Sequence, residues 1–345
     1  MSAQPLAIRA TGMVTGVGLD TASSCAAIRA AIDNFQETRF MDSGGEWIQG
    51  CEVPLEEPWR GTKKLARMLA MALEECAVEA RIDLESVPIL ICVAEEERPG
   101  RVENLGSRVF FETQQELDLR FHDKSTLVQH GRVGGLVAMH QARKMIYQKE
   151  VEQVIIAGVD SLLSAPALRA YEEQDRLLTS QNSNGFIPGE AASAVLAGKP
   201  VDTEEPQLFC LGLGFGQENA TIDSEEPLRA DGLVQALKDS LDDAGARMED
   251  MDFRMVDVSG EHYWFKESSL ALLRTLHTPQ EEFDIWHPAD CVGEVGASIG
   301  PVMLAVAKKA CEGGYSQGDN ILCHFSNIDS RRASAVLTYR QVRAS

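Results

Sequence analysis

The chain has 345 residues, and its 32 Lys and Arg against 53 Asp and Glu leave a formal net charge of −21. That length excludes a disulfide- or metal-held miniprotein and suits one large domain or two ordinary ones, and 44% hydrophobic with 25% charged residues is the composition of a folded globular chain. No apolar run approaches the roughly 18 residues of a membrane span, and so acidic a chain repels phosphate backbones and anionic bilayers, so neither nucleic acid nor a membrane is expected as a partner.

The short basic clusters, Lys63-Lys64 with Arg67, Arg143-Lys144 and Arg331-Arg332, read as solvated helix or loop charge. Eight Cys are scattered at positions 25, 51, 76, 92, 210, 291, 311 and 323 with no CxxC pair. Several lie inside apolar runs, where a free thiol packs as a small hydrophobe. A reducing compartment is expected. The start, Met1-Ser2-Ala3-Gln4-Pro5, lacks the charged and apolar regions of a signal peptide, so the expected location is the cytoplasm.

In chain order, Leu65, Met68, Leu69, Ala72, Leu73 and Cys76 fall on one face of a helix over 65–80. The continuous apolar run 87–94 is a strand buried on both faces, as in a parallel sheet. A helix over 135–148 and a buried strand over 154–158 follow. Beyond a Pro- and Glu-rich break at 199–206, the alternation resumes with a strand at 208–213, a helix at 232–244, a strand at 253–258, a helix at 301–311 and a strand at 320–325. Alternating elements of this kind predict a layered α/β fold.

The second half repeats the first. Residues 80–91 lie over 244–255 at an offset of 164, and the helix opening at Gly135 lies over the one opening at Gly300 at an offset of 165. The string Ala-Ser-Ala-Val-Leu occurs at 192–196 and again at 333–337. Collinear matches predict two α/β halves, residues 1–200 and 207–345, around a pseudo-two-fold axis.

Five local motifs, in order, resemble the β-ketoacyl-acyl-carrier-protein synthase branch of the thiolase superfamily. Ala10-Thr-Gly-Met-Val-Thr-Gly-Val-Gly18 is similar to its opening strand and Gly-rich turn. Gly134-Gly-Leu-Val-Ala-Met-His-Gln-Ala142, followed by Val154-Ile-Ile-Ala-Gly-Val-Asp160, resembles the nucleophile helix and the next strand. Asn184-Gly-Phe-Ile-Pro-Gly-Glu-Ala-Ala192 resembles the turn into the closing strand of the first half. The segment from Gly232 to Gly245 and Gly293-Glu-Val-Gly-Ala-Ser-Ile-Gly300 are similar to the helix opening the second half and the turn before its last helix. The resemblance implies a thiolase-like fold of two duplicated α/β halves, with mostly parallel sheets in an α-β-α-β-α layering. Because the chain is shorter than a typical condensing enzyme, trimmed loops are also implied.

A condensing enzyme works through a Cys at a helix N-terminus, where the dipole and backbone N–H groups lower its pKa and later hold an oxyanion, and through two His that support decarboxylation. Carried over by motif, the Cys position falls on Arg132, whose guanidinium cannot be acylated. The first His position falls on Ser259, with Glu261 and His262 just beyond, the second on Glu294, and the usual Lys on Ala289. No Cys lies between Cys92 and Cys210 to rescue the alignment. Arg132 facing Glu294 as a buried ion pair is the economical reading. Cys291 as a displaced nucleophile is weighed against a structural thiol, which is favoured. His262, with Tyr263, Trp264 and Phe265, reads as a packing or interface segment. A Ser259–Glu294 hydrolytic pair lacks the His base that a Ser nucleophile needs.

No metal spacing or P-loop is present, and Gly212-Leu-Gly-Phe-Gly216 lacks dinucleotide spacing, so no cofactor and no metal are expected. The resemblance therefore implies a protein that binds another protein: an inactive partner subunit of a condensing enzyme, or a degenerate thiolase-like adaptor or co-chaperone of the kind encoded beside bacterial type VI secretion effectors. A homodimer or heterodimer is expected, since thiolase-fold proteins commonly join sheets edge to edge. The aromatic segments Tyr263-Trp264-Phe265 and Phe283-Asp-Ile-Trp286 suit either a partner or packing between the halves. The alternative is an acyl-thioester enzyme, a condensing enzyme or hydrolase with unorthodox residues. It would take acyl carrier protein as partner, and the charge of −21 disfavours it.

Overall fold

The structure is a computed structural model that describes residues 4–278 and 283–341. Met1 to Ala3, the start of the segment read for a signal peptide, lies outside the described residues. The first half runs β1 (Leu6–Thr15), α1 (Thr21–Arg29), β2 (Gln36–Met41), β3 (Trp47–Gly50), α2 (Gly61–Ala80), β4 (Ile89–Val93), α3 (Leu105–Leu117), β5 (Thr126–Gln129), α4 (Gly134–Tyr147), β6 (Gln153–Ser161), α5 (Ala165–Glu173) and β7 (Glu190–Gly198). The second runs β8 (Gln207–Gln217), α6 (Asp231–Ala244), β9 (Phe253–Val256), α7 (His262–Thr275), β10 (Ile285–Trp286), α8 (Ala289–Val292), α9 (Ile299–Glu312), β11 (Asn320–Ser326) and β12 (Arg331–Arg340).

The main sheet is ordered β10-β9-β11-β12-β8-β1-β7-β6-β4-β5. Each half supplies five strands in one order, third-second-fourth-fifth-first, which is the duplication that the repeat predicts. Within each half the second, third and fourth strands are parallel, and the fifth runs antiparallel to both neighbours. The halves join where Leu6–Ile8 of β1 pair with Leu208–Cys210 of β8. Helices α4 and α9 lie between the two five-stranded parts and bury Leu136, Met139, Val302 and Val306 in a core shared by both halves. Helix α2 seals the outer face of the first part and α6 that of the second.

The pseudo-two-fold axis passes where α4 meets α9. A Cβ on Gly135 would lie 2.9 Å from Gly300 Cα, so glycine at both positions lets the helix backbones touch. A one-turn 3₁₀ segment precedes each helix, opening at Gly131 (φ 54°) and Gly296 (φ 52°). The run Gly212-Leu-Gly-Phe-Gly216 has a packing reason: a Cβ at Gly212, Gly214 or Gly216 would lie 2.0 Å from a backbone oxygen of α6.

The solvated reading of the basic clusters fails at Lys64, Arg143 and Arg332, which are all buried. Lys64 pairs with Glu190 at 2.5 Å, Arg143 with Asp243 at 2.6 Å and Arg332 with Glu267 at 2.7 Å. A buried cation requires a counter-charge, and each partner lies far away in sequence. All eight cysteines are buried free thiols. Among the described residues, no helix is long and apolar enough to cross a membrane.

Candidate functional site

Arg132 sits in the 3₁₀ turn (Gly131–Val133) that leads into α4, at the positive end of the helix dipole. A cation is unfavourable there, and carboxylates from the other half answer it. Arg132 Nη1 is 3.2 Å from Glu294 Oε2, and Nε is 3.9 Å from Asp257 Oδ2. Its guanidinium stacks 4.3 Å from the ring of Trp264. Burial alone would lower the Arg132 pKa, but Glu294, Asp257 and Glu261 outweigh it and raise it further, so the side chain remains a cation.

Ser259 Oγ donates to Glu294 Oε2 at 2.6 Å, and the Gly296 N–H donates to Glu294 Oε1 at 2.9 Å. The structure thus brings Arg132, Ser259 and Glu294 together. Ala289, at the start of α8, is buried and apolar. His262 is exposed at the start of α7, where its backbone N–H donates to Asn184 Oδ1. Cys291 is buried in α8, where desolvation pushes its thiol up to about 11; it is neither a thiolate near pH 7 nor part of this cluster.

The cluster is larger than the sequence reading made it. Arg176 donates to Glu261 through two 2.8 Å bonds, and the Trp264 indole N–H donates to the same carboxylate at 2.8 Å. Arg98 pairs with Asp160, whose other oxygen accepts the Ala297 N–H at 3.0 Å. Asn327 Oδ1 accepts the Arg132 backbone N–H at 3.1 Å, and its amide donates to Glu95 at 3.3 Å. The backbone donors at both helix starts, which would hold an oxyanion in an acyl-transfer site, are therefore taken by side chains.

Four buried arginine side chains (Arg98, Arg132, Arg176, Arg332) face six buried carboxylates (Glu95, Asp160, Asp257, Glu261, Glu267, Glu294) among the described residues. Two of these carboxylates, Asp257 and Glu95, have a raised pKa. Burial pushes Asp257 up to about 7 against the pull of Arg132 and the Ser326 N–H, and burial raises Glu95 against its own backbone N–H and Arg98. The space left between Arg132, Glu294, Tyr171 and Phe186 is a cavity of about 20 Å³, room for about one water and none for a substrate chain. Among the described residues, no three His, Cys, Asp or Glu side chains group closely enough to hold a metal ion.

Sequence reasoning missed Arg176, Asn327 and Glu95, and assigned Trp264 to a packing or interface segment without seeing that three arginines ring it, with Arg332 and Arg176 at 5.6 and 5.9 Å. The one available signal was the run of acids Asp257, Glu261 and Glu267 around the Ser259 position, too many for one arginine to answer.

Residues 131–199 match the family model of the β-ketoacyl synthase N-terminal domain, the stretch that carries Arg132, α4, β6 and β7. Among solved structures, the ishigamide ketosynthase/chain length factor superposes with a TM-score of 0.79 at 16% identity, over 97% of this chain and 99% of that one. The chain has the thiolase-like fold of the β-ketoacyl synthases. A ketosynthase in complex with its chain length factor from Xenorhabdus doucetiae matches with a TM-score of 0.73 at 11% identity, over 97% of this chain and 98% of that one. A β-ketoacyl synthase from Burkholderia phymatum matches with a TM-score of 0.71 at 13% identity, over 99% of this chain and 100% of that one. A search of curated protein sequences finds no match. The ketosynthase-like chain thus keeps the fold over its full described length while filling, with paired charge, the place where its two halves meet.

Proposed function

We propose that this ketosynthase-like protein is non-catalytic and acts by binding another protein. Arg132, Ser259 and Glu294 are taken as the degenerate catalytic positions, and the halves 1–200 and 207–345 as its two units. The observation that carries the reading is the Arg132 guanidinium, locked between Glu294, Asp257 and the Trp264 ring where an acylable thiol would be needed. It has no nucleophilic atom and stays protonated.

The partner we favour is a second ketosynthase-fold chain, giving a heterodimer. Two of the similar structures pair a ketosynthase with a chain length factor by name. In this chain β5 is an edge strand, hydrogen-bonded to β4 on one side and to no strand on the other among the described residues; such an edge is open to pairing with another sheet. A homodimer through the same edge, and an adaptor or co-chaperone role beside a secreted effector, are other forms of the same binding function. The proposed setting is the cytoplasm. Co-purification of the tagged chain from its native cells, followed by native mass spectrometry, separates these forms. A ketosynthase-fold partner supports the subunit form, and a secreted effector supports the adaptor form. A monomer at micromolar concentration with no recovered partner rejects protein binding altogether.

The competing enzyme reading rests on the 2.6 Å Ser259–Glu294 hydrogen bond. No imidazole bonds to Ser259 among the described residues, and Glu294 is held by Arg132 and the Gly296 N–H. Acyl carrier protein is therefore not the favoured partner.

A further inference from the structure

A groove of about 370 Å³ opens beside α1, β10 and α9 and shares no lining residue with the Arg132 cluster. Its volume falls in the range of small-molecule sites, about 300–1,000 Å³. Its walls are apolar: Ile28 of α1, Met255 of β9, Trp286 of β10 and Val306 of α9. The Trp286 ring is braced against Phe253 at 4.7 Å, so the wall is formed in advance. His287 and Asp290, with Nδ1 and Oδ1 3.0 Å apart, belong to the rim.

One rim charge is unanswered among the described residues. Arg29, the last residue of α1, lies with its guanidinium carbon 4.3 Å from the Tyr315 ring. Its side chain makes no ion pair or hydrogen bond among the described residues, in a chain with 53 acids against 32 bases. Nearby Lys309, by contrast, is taken by Glu79 and Glu312. Stacking on Tyr315 holds the guanidinium without using its N–H donors, which remain free to grip an anion through two parallel bonds.

We propose that this groove binds an amphipathic carboxylate, with the apolar chain against Trp286, Met255 and Val306 and the carboxylate on Arg29. The combination of apolar walls with the stacked guanidinium of Arg29, unpaired among the described residues, selects for an anionic head on an apolar body, and no titratable step is required. This assignment stands apart from the protein-binding function.

The test uses the full-length protein and calorimetric titration with hexanoate, octanoate and decanoate, with decanol as the uncharged comparison. Binding should saturate at one ligand per chain and tighten about fourfold per added methylene as apolar surface is buried. Decanol should bind about tenfold more weakly than decanoate, and Arg29→Gln should bring decanoate down to the level of decanol. Ile28→Trp, which fills the groove from a half-buried position, should abolish binding while circular dichroism and Tm confirm an intact fold. Arg29→Gln, a surface change, keeps the test decisive if Ile28→Trp does not fold. Absence of saturable binding, equal affinity for decanol and decanoate, or an unchanged affinity in a folded Ile28→Trp protein would each overturn the proposal.

Discussion

Arg132→Met tests the charged cluster most sharply, because it keeps most of the side-chain volume and removes only the charge and its hydrogen bonds. In the wild type, Glu294 has three polar partners: Arg132, the Ser259 hydroxyl and the Gly296 N–H. The variant leaves it two, and leaves Asp257 with only the Ser326 N–H at 2.9 Å. Removing one member of a buried pair costs about 3–5 kcal/mol; because two hydrogen bonds to Glu294 remain, the lower part of that range, about 3–4 kcal/mol, applies. At about 2.1 cal/mol/K of unfolding entropy per residue, a chain of 345 residues shifts by about 1.4 °C per kcal/mol, so Tm should fall by about 4–6 °C at pH 8. The orphaned carboxylates escape the penalty by protonation, so the loss should shrink by half or more at pH 5. Scanning calorimetry on wild type, Arg132→Met, Glu294→Gln and the double variant gives the coupling directly, and the double variant should recover at least half of the lost stability. A Tm within about 1 °C of wild type for Arg132→Met at both pH values would refute the claim that the guanidinium neutralises a buried cluster.

Asp257 titrates in the opposite sense to a stabilised carboxylate. Its folded pKa of about 7 lies above the ordinary value, so the folded state holds a proton that the unfolded state has released, and this group's contribution to stability falls as pH rises from about 4 through about 7. Asp257→Asn keeps an acceptor for the Ser326 N–H and removes that slope, so its stability relative to wild type in urea titrations should rise from pH 5 to pH 8; a constant difference would contradict the assignment. His324 works from the acid side: burial pushes its pKa down to about 3, so its contribution is present above the ordinary histidine value and is lost as pH falls from about 6.5 toward 3. His324→Met should flatten the stability loss of acid titration over that window, and an unaltered acid limb would argue against it. At the pseudo-two-fold, Gly135→Ala puts a methyl 2.9 Å from Gly300 Cα and 3.1 Å from Pro301 Cδ. Separating packed helices should cost about 1–3 kcal/mol in a denaturation experiment, whereas an unchanged midpoint would place the close contact elsewhere. At the proposed interface, Thr126→Pro at the exposed start of β5 should abolish any oligomer that sizes larger than one chain in light scattering while the monomer keeps its circular dichroism; persistence of the oligomer would move the interface away from this edge.

The duplicated architecture was legible because it leaves two independent marks in the sequence. Gly135 and Gly300, matched through the repeat, prove to be the residues in contact on the axis. Buried parallel strands such as β4 and β6 announce themselves as unbroken apolar runs, since both faces are covered. Helix α1, the β2–β3 hairpin and α3 were not read, because half-exposed elements carry only weak apolar periodicity, and β10 is two residues long. In the site, Arg132, Ser259 and Glu294 could be located because glycines of fixed spacing flank them. The rest of the cluster is assembled by tertiary structure: Glu261 finds Arg176 at a separation of 85 residues, and Asn327 finds Arg132 at 195. Lys64, Arg143 and Arg332 misled for the same reason, since a charge is read as solvated until the distant acid that buries it is known.

Covalent chemistry is the most direct test of the non-catalytic account. The purified protein is incubated with acyl-CoA and with acyl carrier protein, and its intact mass is measured before and after. With a guanidinium at position 132, helix-start N–H groups already taken by Asn327 and Asp160, and the Cys291 thiol pushed up to about 11, the mass should not change. A stoichiometric acyl adduct on the unaltered chain, at Cys291 or at any other residue, would contradict the account and establish an acyl-thioester enzyme in its place.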